Sequence, residues 1–132
     1  MIAIDSSALV AITLDEPDAA IYFSRLRSIP GAIISTVSVV EARMVVHNRT
    51  GYRGIVLLDN LLSLPGMEIV APGLVEMEAA WNAFIAYGKG SGHPAGLNFG
   101  DVFAYATAKV RKLPLLFKGN DFSQTDIVSA LS

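Results

Sequence analysis

Four acids in this sequence stand where apolar segments end. Asp5 closes "MIAI", Glu41 closes "STVSVV", Asp101 lies in "GLNFGDVFAYATAK" and Asp121 in "LLFKGNDF". Each has an ordinary local explanation. Asp5 suits an Asx-turn with Ser6 or Ser7. Glu41 falls at the third helical position if Ser38 is an N-cap, the capping-box spacing. Asp101 stands three residues after Asn98, a good N-cap, and suits the positive end of a helix dipole. Taken together the four need more than local reasons, because carboxylates brought close repel one another and raise one another's pKa unless a cation joins them. There is no cysteine, and His47 and His93 are the two histidines. An all-oxygen donor set points to Mg²⁺ or Mn²⁺. Carboxylate-held ions of this kind activate water and polarise a phosphodiester, which is nuclease chemistry.

That reading requires a fold that brings the four acids together. Short apolar runs alternate with helical patterns, as in βαβ units around a parallel sheet. The expected strands are 2–4, 32–34, 67–70 and 114–117, short and apolar as suits strands covered on both faces. Helices are expected from Pro17 to about Ser28, Ser38 to about Asn48, over the leucines from Leu57 to Leu64, from Leu74 to near Gly88, over 99–112, and briefly from Ser123 or Thr125. On the fourth of these, Met77 and Trp81 are expected to be core. Residues 88–97, "GKGSGHPAGL", read as a loop without a phosphate-binding fingerprint. In an open parallel sheet the ligand edge is the carboxyl edge of the strands, where Asp5, Glu41, Asp101 and Asp121 would converge.

Composition bounds the function. The 132 residues are 52% hydrophobic, enough for one domain spanning 1–132 with a continuous core. A net charge of −2 and a pI near 5.6 argue against indiscriminate adhesion to nucleic acid or anionic membrane. No apolar run approaches the ~20 residues of a membrane span. The start "MIAIDSSALV" has no basic leader, so a cytoplasmic location is expected.

Four fragments in order, "MIAIDSSAL" at 1–9, "SVVEA" at 38–42, "GHPAGLNFGDVFAYATAK" at 92–109 and "LLFKGNDFSQTDI" at 115–127, resemble the PIN-domain family. Within it they resemble the VapC-type ribonuclease toxins of type II toxin–antitoxin pairs. The resemblance implies a Rossmann-like α/β/α sandwich with a short central parallel sheet. It implies Asp5, Glu41, Asp101 and Asp121 as the catalytic, metal-holding cluster for Mg²⁺ or Mn²⁺, with Asp5 and Asp101 as core ligands and Glu41 completing or orienting the site. Ser7 would hydrogen-bond a ligand near Asp5 or serve the turn, and Asn98 would cap the helix and orient Asp101. It further implies cleavage of a structured RNA with inhibition of translation, neutralisation by a cognate antitoxin, and homodimerisation. The helix carrying Arg43 and Val46, or the stretch 55–64, is the expected dimer surface. Arg43, Arg49, Arg53, Lys89 and Lys118 read first as solvated surface, with phosphate contact as the alternative; His93 reads first as a loop turn, with RNA contact as the alternative. Two other readings are a receiver-like phosphoacceptor, echoed by Lys118 after the last strand, and a non-catalytic interaction module. Against the first, "DSS" and "VAPG" stand where further acids would be needed.

Overall fold

The computed structural model describes residues 1–131. Its centre is a four-stranded, wholly parallel sheet in the order β3-β2-β1-β4, formed by β1 (Ile2–Ile4), β2 (Ala32–Ser35), β3 (Met67–Val70) and β4 (Leu115–Leu116). Residue alternation along the strands divides the core into two layers. Ile2, Ile4, Ala32, Ile34 and Leu116 face one layer, and Ala3, Leu115 and Phe117 the other. The first layer is covered by α1 (Ser6–Thr13), α2 (Ala19–Arg27), α3 (Thr36–Thr50) and α4 (Tyr52–Leu62); the second by α5 (Leu74–Tyr87) and α6 (Phe99–Arg111). This is the expected α/β/α sandwich.

The chain builds outward from β1 through β2 to β3, then returns to add β4 on the other side of β1. Connections therefore diverge at the carboxyl ends of β1 and β4, the switch point at which such sheets open a crevice. Registers of Ile2 with Ala32 and of Ile4 with Leu116 align these strands, so the residues that follow them emerge together.

Four sequence expectations are corrected. Helix α1 was not foreseen; Ala8, Leu9, Val10 and Ala11 are all buried, so it is apolar around its circumference and carries no amphipathic period. Helix α3 begins at Thr36, with the Ser35 hydroxyl accepting from Val37 N at 3.1 Å. Ser38 is thus inside the helix, and Glu41 belongs to its second turn rather than to a capping box. The expected core role of Met77 and Trp81 fails: Trp81 is 57% and Met77 48% exposed. Helix α5 instead packs through Ala80 and Ala83 against the alanine-rich α6, a close approach that leaves its bulky residues outside.

Finally, no helix forms after Asp121 among the described residues. Ser123 and Thr125 turn their hydroxyls onto the carbonyls of Asn120 and Phe122, a local bonding that competes with helix. The chain then runs beside β4, where Leu115 N donates to Val128 O and Ala130 N to Leu115 O, both at 2.9 Å. An otherwise open sheet edge is thereby paired. No helix among the described residues is long and apolar enough to cross a membrane.

Candidate active site

Asp5 follows β1 directly and is the N-cap of α1. Its Oδ2 accepts from Ser7 N at 3.0 Å and from Ser7 Oγ at 2.5 Å, the turn bonding expected of an aspartate there. Its other oxygen differs: Oδ1 is buried and accepts no hydrogen bond. One carboxylate thus shapes the turn with one oxygen and leaves the other unmet, at a cost that a bound cation would remove. Ser7 Oγ also accepts from Lys118 N at 3.0 Å, tying the end of β1 to the loop after β4.

Glu41 reaches the same place from α3. Ser6 Oγ donates to its Oε1 at 2.5 Å, so consecutive serines serve the two acids, Ser7 on Asp5 and Ser6 on Glu41. The Glu41 carboxylate rests on the first turn of α6 at Gly100, where any Cβ would overlap Oε2. A glycine in a helix costs about 1 kcal/mol relative to alanine; here it makes room for an acid arriving from another helix.

Asp101 is held by its capping box. Asn98 Oδ1 accepts from Asp101 N at 2.9 Å, and Asp101 Oδ2 accepts from Asn98 N at 3.0 Å. Asp101 is 6% exposed and Asp5 3%. Burial is the main reason Asp101 is pushed up to about 7; the Asn98 N–H opposes it, and the charges of Asp5, Asp121 and Glu41 add to it. Asp5 is pushed up to about 6, again chiefly by burial, with the Ser7 bonds opposing, the Glu41 charge adding and the Ser6 N–H opposing more weakly. Asp101 therefore feels all three other acids, the convergence expected from topology. Asp121 is the exposed member, on the turn after β4.

Lys118 does not neutralise this crevice. Its Nζ is committed to Asp18 at 2.9 Å and Glu16 at 3.4 Å. Among the described residues no three Asp, Glu or His side chains already form a metal ligand set. A hard ion such as Mg²⁺ does not need one, since it keeps several waters and takes one or two carboxylates directly. The orphan Asp5 Oδ1 and the mutual repulsion at Asp101 fit such an ion. Sequence reasoning gave Ser6 only a turn role and overlooked Gly100 as a contact; an unforced glycine between an N-cap and its N3 partner was the available signal for the latter.

Residues 2–128 match the PIN domain family. The chain belongs to that family. Similar relatives include Ribonuclease VapC of Mycolicibacterium smegmatis, 44% identical over 126 residues covering 96% of this chain and 97% of the relative. Ribonuclease VapC30 of Mycobacterium tuberculosis is 43% identical, covering 96% and 95%. Among solved structures, the Mycobacterium tuberculosis VapC20 toxin, described as cleaving the sarcin-ricin loop, superposes with a TM-score of 0.79 over 97% of each chain at 17% identity. VapBC2 of Rickettsia felis, bound to a promoter DNA fragment, gives 0.78 over 98% and 96% at 16% identity. These likenesses support the PIN-type fold, and the closer sequences place the chain among VapC ribonucleases.

Proposed function

We propose that this PIN-domain chain is a Mg²⁺- or Mn²⁺-dependent endoribonuclease, the toxin of a toxin–antitoxin pair, acting in the cytoplasm as one domain spanning 1–132. The observation that carries this reading is the buried, unpartnered Asp5 Oδ1 beside a raised Asp101, with Lys118 bonded elsewhere. Asp5 and Asp101 would hold the cation, and Glu41 and Asp121 would complete the acidic cluster. A bound ion would supply Lewis-acid activation of water and of the scissile phosphodiester. The protein's own contribution is aim. Ser7 fixes Asp5, Ser6 and Gly100 fix Glu41, and Asn98 fixes Asp101.

A structured RNA is the favoured substrate because the similar proteins are named ribonucleases and one similar fold is described as cutting the sarcin-ricin loop; cleavage of such an RNA would inhibit translation. An antitoxin partner is supported by the toxin–antitoxin complex from Klebsiella pneumoniae, whose fold is shared at a TM-score of 0.70 and 16% identity over 98% of each chain. Homodimerisation is supported by the apolar face left by α5 and α6, where Met77, Trp81, Phe84 and Phe99 are exposed around a shallow trough. Of the surfaces expected from sequence, Val46 is fully buried, while Val56 and Leu57 in the stretch 55–64 are exposed.

The test is incubation of antitoxin-free protein with total bacterial RNA in Mg²⁺, Mn²⁺ or EDTA, with mapping of new 5′ ends. Discrete metal-dependent products are expected. Intact RNA in every condition contradicts the proposal.

A further inference from the structure

Away from the four acids, the corner between α3 and α4 has a charge distribution unlike the rest of the chain. Residues 42–58 contain three of the ten Lys and Arg residues and no acid, although the whole chain carries 12 acids. Of the seven cations elsewhere, Lys109 pairs with Asp126, Arg111 with Glu76 and Lys118 with Asp18 and Glu16, and Arg25 donates to the Ala130 carbonyl at 2.6 Å. At the corner Arg43 alone has a partner, Asp59 at 3.5 Å, in a solvent-exposed pair worth little. Arg49 and Arg53 are exposed and have no carboxylate within ion-pair distance among the described residues. Arg49 suits the negative end of α3, but Arg53 lies in the first turn of α4, where a cation is unfavourable. Its position has no internal explanation.

Beside these arginines Tyr52 is 77% exposed, with its ring braced by His47 in an edge contact at 5.0 Å. The two rings, with Arg43, Met44, Asn48 and Ile55, line an open groove of about 550 Å³ whose one acid, Asp59, is the partner of Arg43. Cations flanking an exposed ring are the elements from which single-strand binding surfaces are made, with phosphates on the charges and a base on the ring. The corner also closes the helix that carries one of the acids. Glu41 and Arg49 lie eight residues apart on one helix, about 12 Å at 1.5 Å per residue, within reach of a strand spanning a few nucleotides.

We propose that the α3–α4 corner, centred on Arg49, Tyr52 and Arg53, binds a single-stranded segment of the RNA substrate beside the cleavage point. Arg49 and Arg53 hold backbone phosphates, and Tyr52 stacks one unpaired base. The inference rests on the ribonuclease reading and adds to it where the substrate lies. An acidic protein segment would satisfy the arginines but leave the ring and groove without a purpose.

The test is fluorescence anisotropy of a labelled single-stranded RNA of about 12 nucleotides, titrated with Asp101→Asn protein in Mg²⁺ over a range of salt. Adding Arg49→Gln and Arg53→Gln is expected to weaken binding about tenfold and reduce the salt slope by about 1.4, at 0.7 per phosphate contact. Adding Tyr52→Leu is expected to weaken binding at least fivefold with the slope unchanged, while Tyr52→Phe retains affinity. Unchanged affinity and slope in the corner variants, with the parent binding RNA, overturn the corner alone. A parent that does not bind this RNA overturns the corner, and the ribonuclease reading then stands or falls on the cleavage of total bacterial RNA. Corner variants that keep RNA but lose an acidic antitoxin segment assign the surface to protein and overturn the proposal. Equal melting temperatures by circular dichroism separate these outcomes from misfolding.

Discussion

Replacing Asp101 with Asn should stabilise the metal-free protein at alkaline pH. An unfolded aspartate titrates near 3.8 and Asp101 in the fold near 7, so between these values the folded chain holds a proton that the unfolded chain has lost. The stability linked to that proton is fully present below about pH 4 and is lost as pH rises through 7. Three pH units at 1.36 kcal/mol each give about 4 kcal/mol. Relaxation and water penetration reduce this, so about 2 kcal/mol is expected at pH 8. Asparagine can accept the same bond from Asn98 N, which keeps the capping box. For a chain of this size the change corresponds to roughly 8 °C. The assay is thermal unfolding in EDTA at pH 4 and pH 8. The variant should melt about 8 °C above wild type at pH 8 and level with it at pH 4. Saturating Mg²⁺ should raise the wild type alone, by about 2.7 kcal/mol at 100 times its Kd. A variant no more stable than wild type at pH 8, or a gap equal at both pH values, would refute the reasoning.

Gly100→Ala separates stability from activity. Its Cβ would displace the tip of Glu41, so the gain of about 1 kcal/mol from helix propensity is offset by loss of the Ser6 bond and melting should hold, while RNA cleavage falls about 100-fold. Retained cleavage would mean that the Glu41 position is immaterial. Ser6→Ala removes the hydroxyl bonded to Glu41 and should cost about 1 kcal/mol in urea unfolding along with much of the activity, with Ser6→Thr recovering both. Trp81→Glu places a charge on the exposed α5 face and should shift sedimentation from dimer to monomer without lowering the melting point of the monomer; a persistent dimer places the contact elsewhere.

How much of this could be read beforehand depended on whether the deciding interaction was local. The Asn98–Asp101 box lies within four residues, so both its spacing and its geometry were legible. Asp5 was legible because the three-residue β1 ends abruptly at a charge. Glu41 lies beside Ser6 and Gly100 as the convergence requires, but not through the capping box, since either Ser35 or Ser38 can begin the helix and only the pairing of β2 through Ser35 decides. The period of α5 was correct, but periodicity does not say which stripe faces inward; the alanines of α6 chose Ala80 and Ala83. The fate of the C-terminal residues turned on the open edge of β4, a partner remote from their own composition.

The most direct test of the central claim, that the four carboxylates form one cation-holding centre, is calorimetric titration of Mn²⁺ into wild type, Asp5→Asn and Asp101→Asn at pH 7.5. Saturable binding by the wild type, lost or weakened at least tenfold in each variant while the fold persists, is the expected result. A wild type that takes up no Mn²⁺, or variants that bind it as tightly as wild type, would contradict the account.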